Sequence, residues 1–173
     1  MVEERRRSVS KPPRDVVARA DLPRGEKVLA SAESAGVWLL GTRAAFVVVA
    51  ETQHSRIPWE QVERATWDKD ASLLEVSEVG EWGLSRPVHR FTLDQPGRLL
   101  ELMRERVTAS VVLQRRAVVR GRKGLNVIAR RAPTGGEVGW FVEYDEGVDP
   151  DDPFVRAAAE TALAAAKSDV GMA

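Results

Sequence analysis

Few side chains in this sequence can do chemistry. His54 and His89 are the only imidazoles, and no cysteine exists, so disulfides, thiolate-zinc sites, iron-sulfur ligation and thiol nucleophiles are excluded together. A metal site would have to join two separated histidines to scattered carboxylates, without an H-E-x-x-H spacing, and none is expected. A serine or threonine could in principle meet a histidine and an aspartate, but no strained nucleophile turn is present. Gly121-Arg122-Lys123-Gly124 is too short for a phosphate loop and reads as a tight turn, a phosphate contact being the sharper alternative. The carboxylates Glu143, Asp145, Glu146, Asp149, Asp151 and Asp152 lack the alternation and closing glutamate of a calcium loop. They read as a solvated turn with helix-capping duty, with a weak calcium or magnesium site as the alternative. The chain is expected to be non-catalytic and without a cofactor.

The strongest asymmetry is basic. Between positions 104 and 131, Arg104, Arg106, Arg115, Arg116, Arg120, Arg122, Lys123, Arg130 and Arg131 face only Glu105. Guanidinium forks suit carboxylate or phosphate partners. One reading pairs these cations internally with the acids of 143–152 and with Glu26, Glu60 or Glu63. A second presents them to an acidic protein surface, and a third to an anionic lipid headgroup. Nucleic acid is not expected, because no aromatic-basic platform accompanies them. The candidate binding surface is Arg104, Arg115, Arg116, Arg120, Arg122, Lys123, Arg130 and Arg131. Trp82, set between Gly80-Glu81 and Gly83, is added as an exposed aromatic anchor.

The remaining composition is that of an ordinary globular protein. The 173 residues suffice for one domain of about 100 residues plus a smaller unit. The 26 basic and 26 acidic residues cancel, so no global field draws the chain to nucleic acid or membrane. The front MVEERRRSVSKPP has no apolar segment behind it, and the longest apolar run is Ala44 to Ala50, so a cytoplasmic protein is expected.

The elements that must position these residues begin with a basic arm over 1–24, expected to be partly disordered, with Asp15-Val16-Val17 as its possible anchor. Lys27 to Ala32, Val37 to Leu40 and Ala45 to Ala50 read as three strands of a meander, the third apolar enough to be buried on both faces. Ala65 to Asp68, Leu73 to Ser77 and Val88 to Leu93 supply further strands. Leu100, Met103, Val107 and Val111 mark one stripe of a helix over 96–114, which closes the first domain and could extend toward Val118. Residues 115–173 read as a small α+β extension, with strands near 117–120, 125–131 and 137–145 and a helix over 153–169 capped by Asp152.

The phrases Gly25-Glu26-Lys27-Val28-Leu29, Gly36-Val37-Trp38-Leu39-Leu40-Gly41-Thr42 and Ile57-Pro58-Trp59-Glu60-Gln61-Val62 resemble bacterial pleckstrin-homology-like (GRAM-like) domains over about residues 25–113. The resemblance implies a mainly β fold with α: a bent barrel of about seven antiparallel strands capped by a helix, here over 25–114. The later phrases SVVLQRR, VIARR and GVDPDDP resemble uncharacterised proteins of high-GC Gram-positive bacteria that join the same two parts. Binding or scaffolding is the function so implied. Eukaryotic relatives bind phosphoinositides through a basic loop between the first two strands, whereas Glu33-Ser34-Ala35-Gly36 is short and acidic here. The expected function is therefore a non-catalytic protein-binding or scaffolding role with an unidentified protein partner. A peripheral adaptor making weak contact with anionic lipid headgroups is the alternative.

Overall fold

The computed structural model describes residues 11–80 and 85–171. Between Pro13 and Pro23 there is room for only one short helix, and Arg14–Arg19 forms it (α1). Val16 and Ala20, four residues apart, are 2% and 3% exposed. The Arg19 guanidinium donates to the carbonyls of Ala50 and Glu51 at 2.9 and 2.8 Å, tying the helix down. The anchor expected at Asp15-Val16-Val17 falls within this helix, where an i, i+4 apolar pair is buried; residues 1–10 of the arm lie outside the described residues.

Among the described residues seven strands follow: β1 (Val28–Ser34), β2 (Val37–Thr42), β3 (Ala45–Val49), β4 (His54–Pro58), β5 (Val62–Asp68), β6 (Leu73–Glu78) and β7 (Val88–Thr92). They form two antiparallel sheets in sequence order, β1 to β4 and β5 to β7. A 3-10 turn at Trp59–Gln61 separates β4 from β5. Among the described residues no ladder joins the two sheets, so they do not close into a barrel. The strand row is interrupted where Pro58 and that turn take the chain out of extended geometry.

The helix α2 (Leu99–Ser110) completes the first core. One cluster joins Ala32, Leu39, Phe46 and Ile57 of the four-stranded sheet to Leu74 and Val76 of the three-stranded sheet. Trp59, Val62, Leu93, Leu99 and Met103 belong to it as well. The other face of the four-stranded sheet packs Trp38, Leu40, Ala45, Val47 and Val49 against Val16 and Ala20. Two-sided burial therefore explains why β3 reads as an unbroken apolar run. Gly41 lets α2 approach the sheet, since a Cβ there would stand 2.6 Å from Leu102 Cδ2.

The chain divides into two compact units after Thr108, so the last two residues of α2 count with the second. In that second unit β8 (Val111–Arg120), β9 (Lys123–Arg130) and β10 (Gly139–Tyr144) form an antiparallel sheet in the order β10-β9-β8. The helix α3 (Pro153–Asp169) lies on one face, burying Val155, Ala159, Ala162 and Ala166. Leu125 and Val127 of β9 form the core with the last three of these. Phe154 N donates to Asp152 Oδ1 at 2.8 Å, and Pro153 begins the helix, as its fixed φ and missing donor allow.

The helix expected over 96–114 ends at Ser110. Val111 to Gln114 belong instead to β8, with Val111 opposite Arg130 and Leu113 opposite Ala129. The β-branched pair Val111-Val112 favours extended backbone, and the ladder to β9 fixes it. Accordingly β8 is longer than the strand expected near 117–120.

Candidate functional site

An apolar groove of about 350 Å3 lies on the first unit between β5 and α2. That is near the lower end of the roughly 300–1,000 Å3 typical of ligand pockets. Ala65 and Trp67 of β5 and Leu74 of β6 line one side; Leu100, Met103, Val107 and Thr108 of α2 line the other. Local sequence explains this. From Arg64 to Asp68, β5 alternates exposed and half-buried residues, so Ala65 and Trp67 share the inward face. On α2 the deep contacts are Leu99, Leu102 and Met103, which leaves Leu100 and Val107 half-buried beside the groove. The stripe read from the sequence is thus partly the wall of a cleft.

Charge at the rim is uneven. Arg64 and Arg104 both line the groove, and among the described residues neither has a carboxylate partner. Glu63 is held by Arg86. The α2 acids line a different depression: Glu101 lies 4.0 Å from Arg98 and Glu105 3.7 Å from Arg106.

Of the candidate binding-surface residues read from the sequence, Arg104 is the one among the described residues that belongs to this groove. In the second unit Arg115 pairs with Asp169 and Arg116 with Asp145. Arg120 approaches Asp152 at 3.9 Å, and Lys123 Nζ donates to the Glu146 carbonyl at 2.9 Å. Arg130 is 5% exposed and donates to Ser110 Oγ at 3.1 Å, which corrects its placement on a binding surface. A buried guanidinium with a hydroxyl partner serves the fold. Arg122 and Arg131 are exposed and have no carboxylate partner among the described residues. Trp82 lies outside the described residues. Arg115, Arg116 and Arg120 are thus neutralised by acids among 145–169, whereas Arg122 and Arg131 are not.

Asp145 is the centre of that neutralisation. Both its oxygens accept from Arg116, and Gly124 N donates to it at 2.8 Å. The Arg116 hydrogen bonds, then the Gly124 amide, hold its carboxyl at about 2, below the usual 3.8. Because the folded value is depressed, the stabilisation is complete above the unfolded value near 3.8 and is lost as pH falls through about 2. NMR titration of the Asp145 carboxyl carbon should show the low value in the native chain and a return toward 3.8 in Arg116→Gln. A native midpoint near 3.8 would contradict this account.

The residues that carry the sequence phrases meet in a structural lock. Glu26 accepts from the Thr42 hydroxyl and pairs with Arg56 at 2.9 Å, while Trp59 Nε1 donates to the Thr42 carbonyl at 3.0 Å. Burial works to raise the Glu26 pKa, and the Thr42 and Arg56 hydrogen bonds overcome it, leaving the carboxyl below its ordinary value. Glu26 and Glu63 thus have partners within the first unit. Sequence reasoning did not single out the groove, because residues near 65 and near 104 meet only after folding. The exposed-apolar alternation of 64–68 was its one local signal.

Among the described residues no group of three or more His, Asp or Glu side chains could hold a metal ion. No helix of the described residues is long and apolar enough to cross a membrane. Comparison with family models, with curated proteins and with solved structures returns no match.

Proposed function

We propose that this chain is a non-catalytic protein-binding module that uses the groove between β5 and α2 as its contact surface. The observation that carries the reading is an outer strand with one edge unpaired among the described residues, beside an apolar cleft walled by a helix. Such an edge can hydrogen-bond to an added strand while the cleft takes alternate side chains. The arrangement of four plus three antiparallel strands followed by a helix supports a pleckstrin-homology-like first unit, open rather than closed. Pairing of Arg115 with Asp169 and of Arg116 with Asp145 reduces the cationic surface that the second unit offers to an anionic lipid.

The absence of cysteine makes the test direct. Thr108→Cys, at the groove, and Arg122→Cys, on the second unit, each carry a thiol-linked photo-crosslinker in a lysate of the source cells. The groove position is expected to yield one protein adduct that the second-unit position does not. Adducts confined to position 122, or lipid adducts there and none at 108, would overturn the proposal.

A further inference from the structure

We infer that the groove takes an extended, acidic polypeptide segment, added as a strand along β5 with apolar side chains in the cleft and carboxylates at Arg64 and Arg104. This rests on the reading of the groove as a protein-contact surface and gives that contact its chemistry. Three observations converge.

The first is the edge. β5 is the outer strand of its sheet, hydrogen-bonded to β6 on one side, and its regular part Arg64–Asp68 pairs in unbroken register from Arg64 opposite Ser77 to Asp68 opposite Leu73. Exposure of Arg64, Thr66 and Asp68 leaves this stretch accessible. The bulge at Glu63 limits addition to the stretch after it. The β1 edge differs, because Ser31, Ala32 and Ser34 are all buried.

The second is the cleft. Its floor is Ala65, Trp67, Leu74, Leu100, Met103 and Val107, with no carboxylate except Glu63, which Arg86 neutralises. In a strand, successive side chains face opposite ways, so every second residue of the occupant faces this floor.

The third is charge. Arg64 on the strand and Arg104 on the helix are both exposed and both line the groove, and neither has a carboxylate partner among the described residues. Asp68, the acid at the end of β5, already accepts from the amides of Asp70 and Ala71 at 3.0 and 2.9 Å. Two uncompensated guanidinium groups favour an occupant bearing carboxylates and disfavour a basic one.

The test uses the full chain and three fluorescein-labelled eight-residue peptides read by anisotropy. One alternates valine with glutamate, one alternates valine with lysine, and one is the glutamate peptide N-methylated at alternate amides. The glutamate peptide is expected to bind at least tenfold tighter than the lysine peptide, and N-methylation on the pairing edge should remove at least tenfold of that. Arg64→Glu with Arg104→Glu, both exposed and tolerant of change, should reverse the charge preference. Equal binding of the two charged peptides, lost together in Val107→Arg, would overturn the acidic preference while leaving the groove reading standing. Binding that survives Val107→Arg in a chain with a native melting curve would overturn both. No binding of any peptide would overturn the inference, and the crosslinking result would then decide the groove reading separately.

Discussion

Replacing Gly124 by alanine is expected to unfold the second unit while the first retains its structure. Gly124 is buried in β9 opposite Val118, and a Cβ there would lie 2.0 Å from the Ala117 carbonyl oxygen and 2.9 Å from Val118 Cα. The obstruction is backbone, so it cannot rotate aside; β8 and β9 would have to separate at their turn. Separation also removes the Gly124 amide from Asp145 and loosens the Arg116 pair that the same carboxylate holds. A clash of this kind belongs with the rare substitutions that cost more than about 4 kcal/mol. Native-state hydrogen exchange should lose protection over β8 to β10 and keep it over β2 and β3, as separate cooperative units allow. Gly121→Ala is the control. Its φ of +61° makes alanine strained, but nothing lies within 4 Å of the new methyl. A loss of about 1 kcal/mol is expected there. Equal effects of the two substitutions would contradict the steric account.

The second large effect is expected at Trp59. Its side chain is fully buried in the core that both sheets and α2 share, and its ring lies 6.3 Å from that of Phe46. Truncation to alanine should destabilise the first unit by about 3–5 kcal/mol, the usual range for a buried aromatic. Trp59→Phe separates the contributions. It retains most of the buried ring but leaves the Thr42 carbonyl without the indole donor, so about 1–3 kcal/mol should be lost. Urea unfolding measures both. If Trp59→Phe costs as much as Trp59→Ala, the packing argument fails; if it costs nothing, the hydrogen bond does not contribute.

Sequence and structure agree where the pattern has one physical meaning. The apolar run of β3 could be satisfied only by burial on two faces, and α1 together with the first core supplies them. Asp152-Pro153 offers a capping carboxylate followed by a residue suited to the first helical position, and a helix begins there. They part where two periods coexist. Leu100, Met103, Val107 and Val111 fit a helical stripe, yet Val111, Leu113, Ala117 and Val119 also fit an alternating strand, and pairing with β9 decides for the strand. Val16 and Ala20 lie inside a basic, proline-flanked segment whose composition masks their spacing. The arginines of 115–131 show their charge in sequence but not their partners. Asp145 and Asp169 are 29 and 54 residues away from Arg116 and Arg115, and only the fold brings them together. The groove escaped for the same reason, since Trp67 and Val107 are unremarkable in their own segments.

The edge of β5 is where the functional account is most exposed to failure. Backbone amide exchange over Arg64 to Asp68, measured with and without saturating valine-glutamate peptide, tests it directly. The account predicts that the peptide slows exchange of the outward amides of this stretch at least tenfold and leaves residues 115–131 unchanged. Protection appearing in 115–131 instead, with none along β5, would contradict it and return the arginines of the second unit to the centre of the binding question.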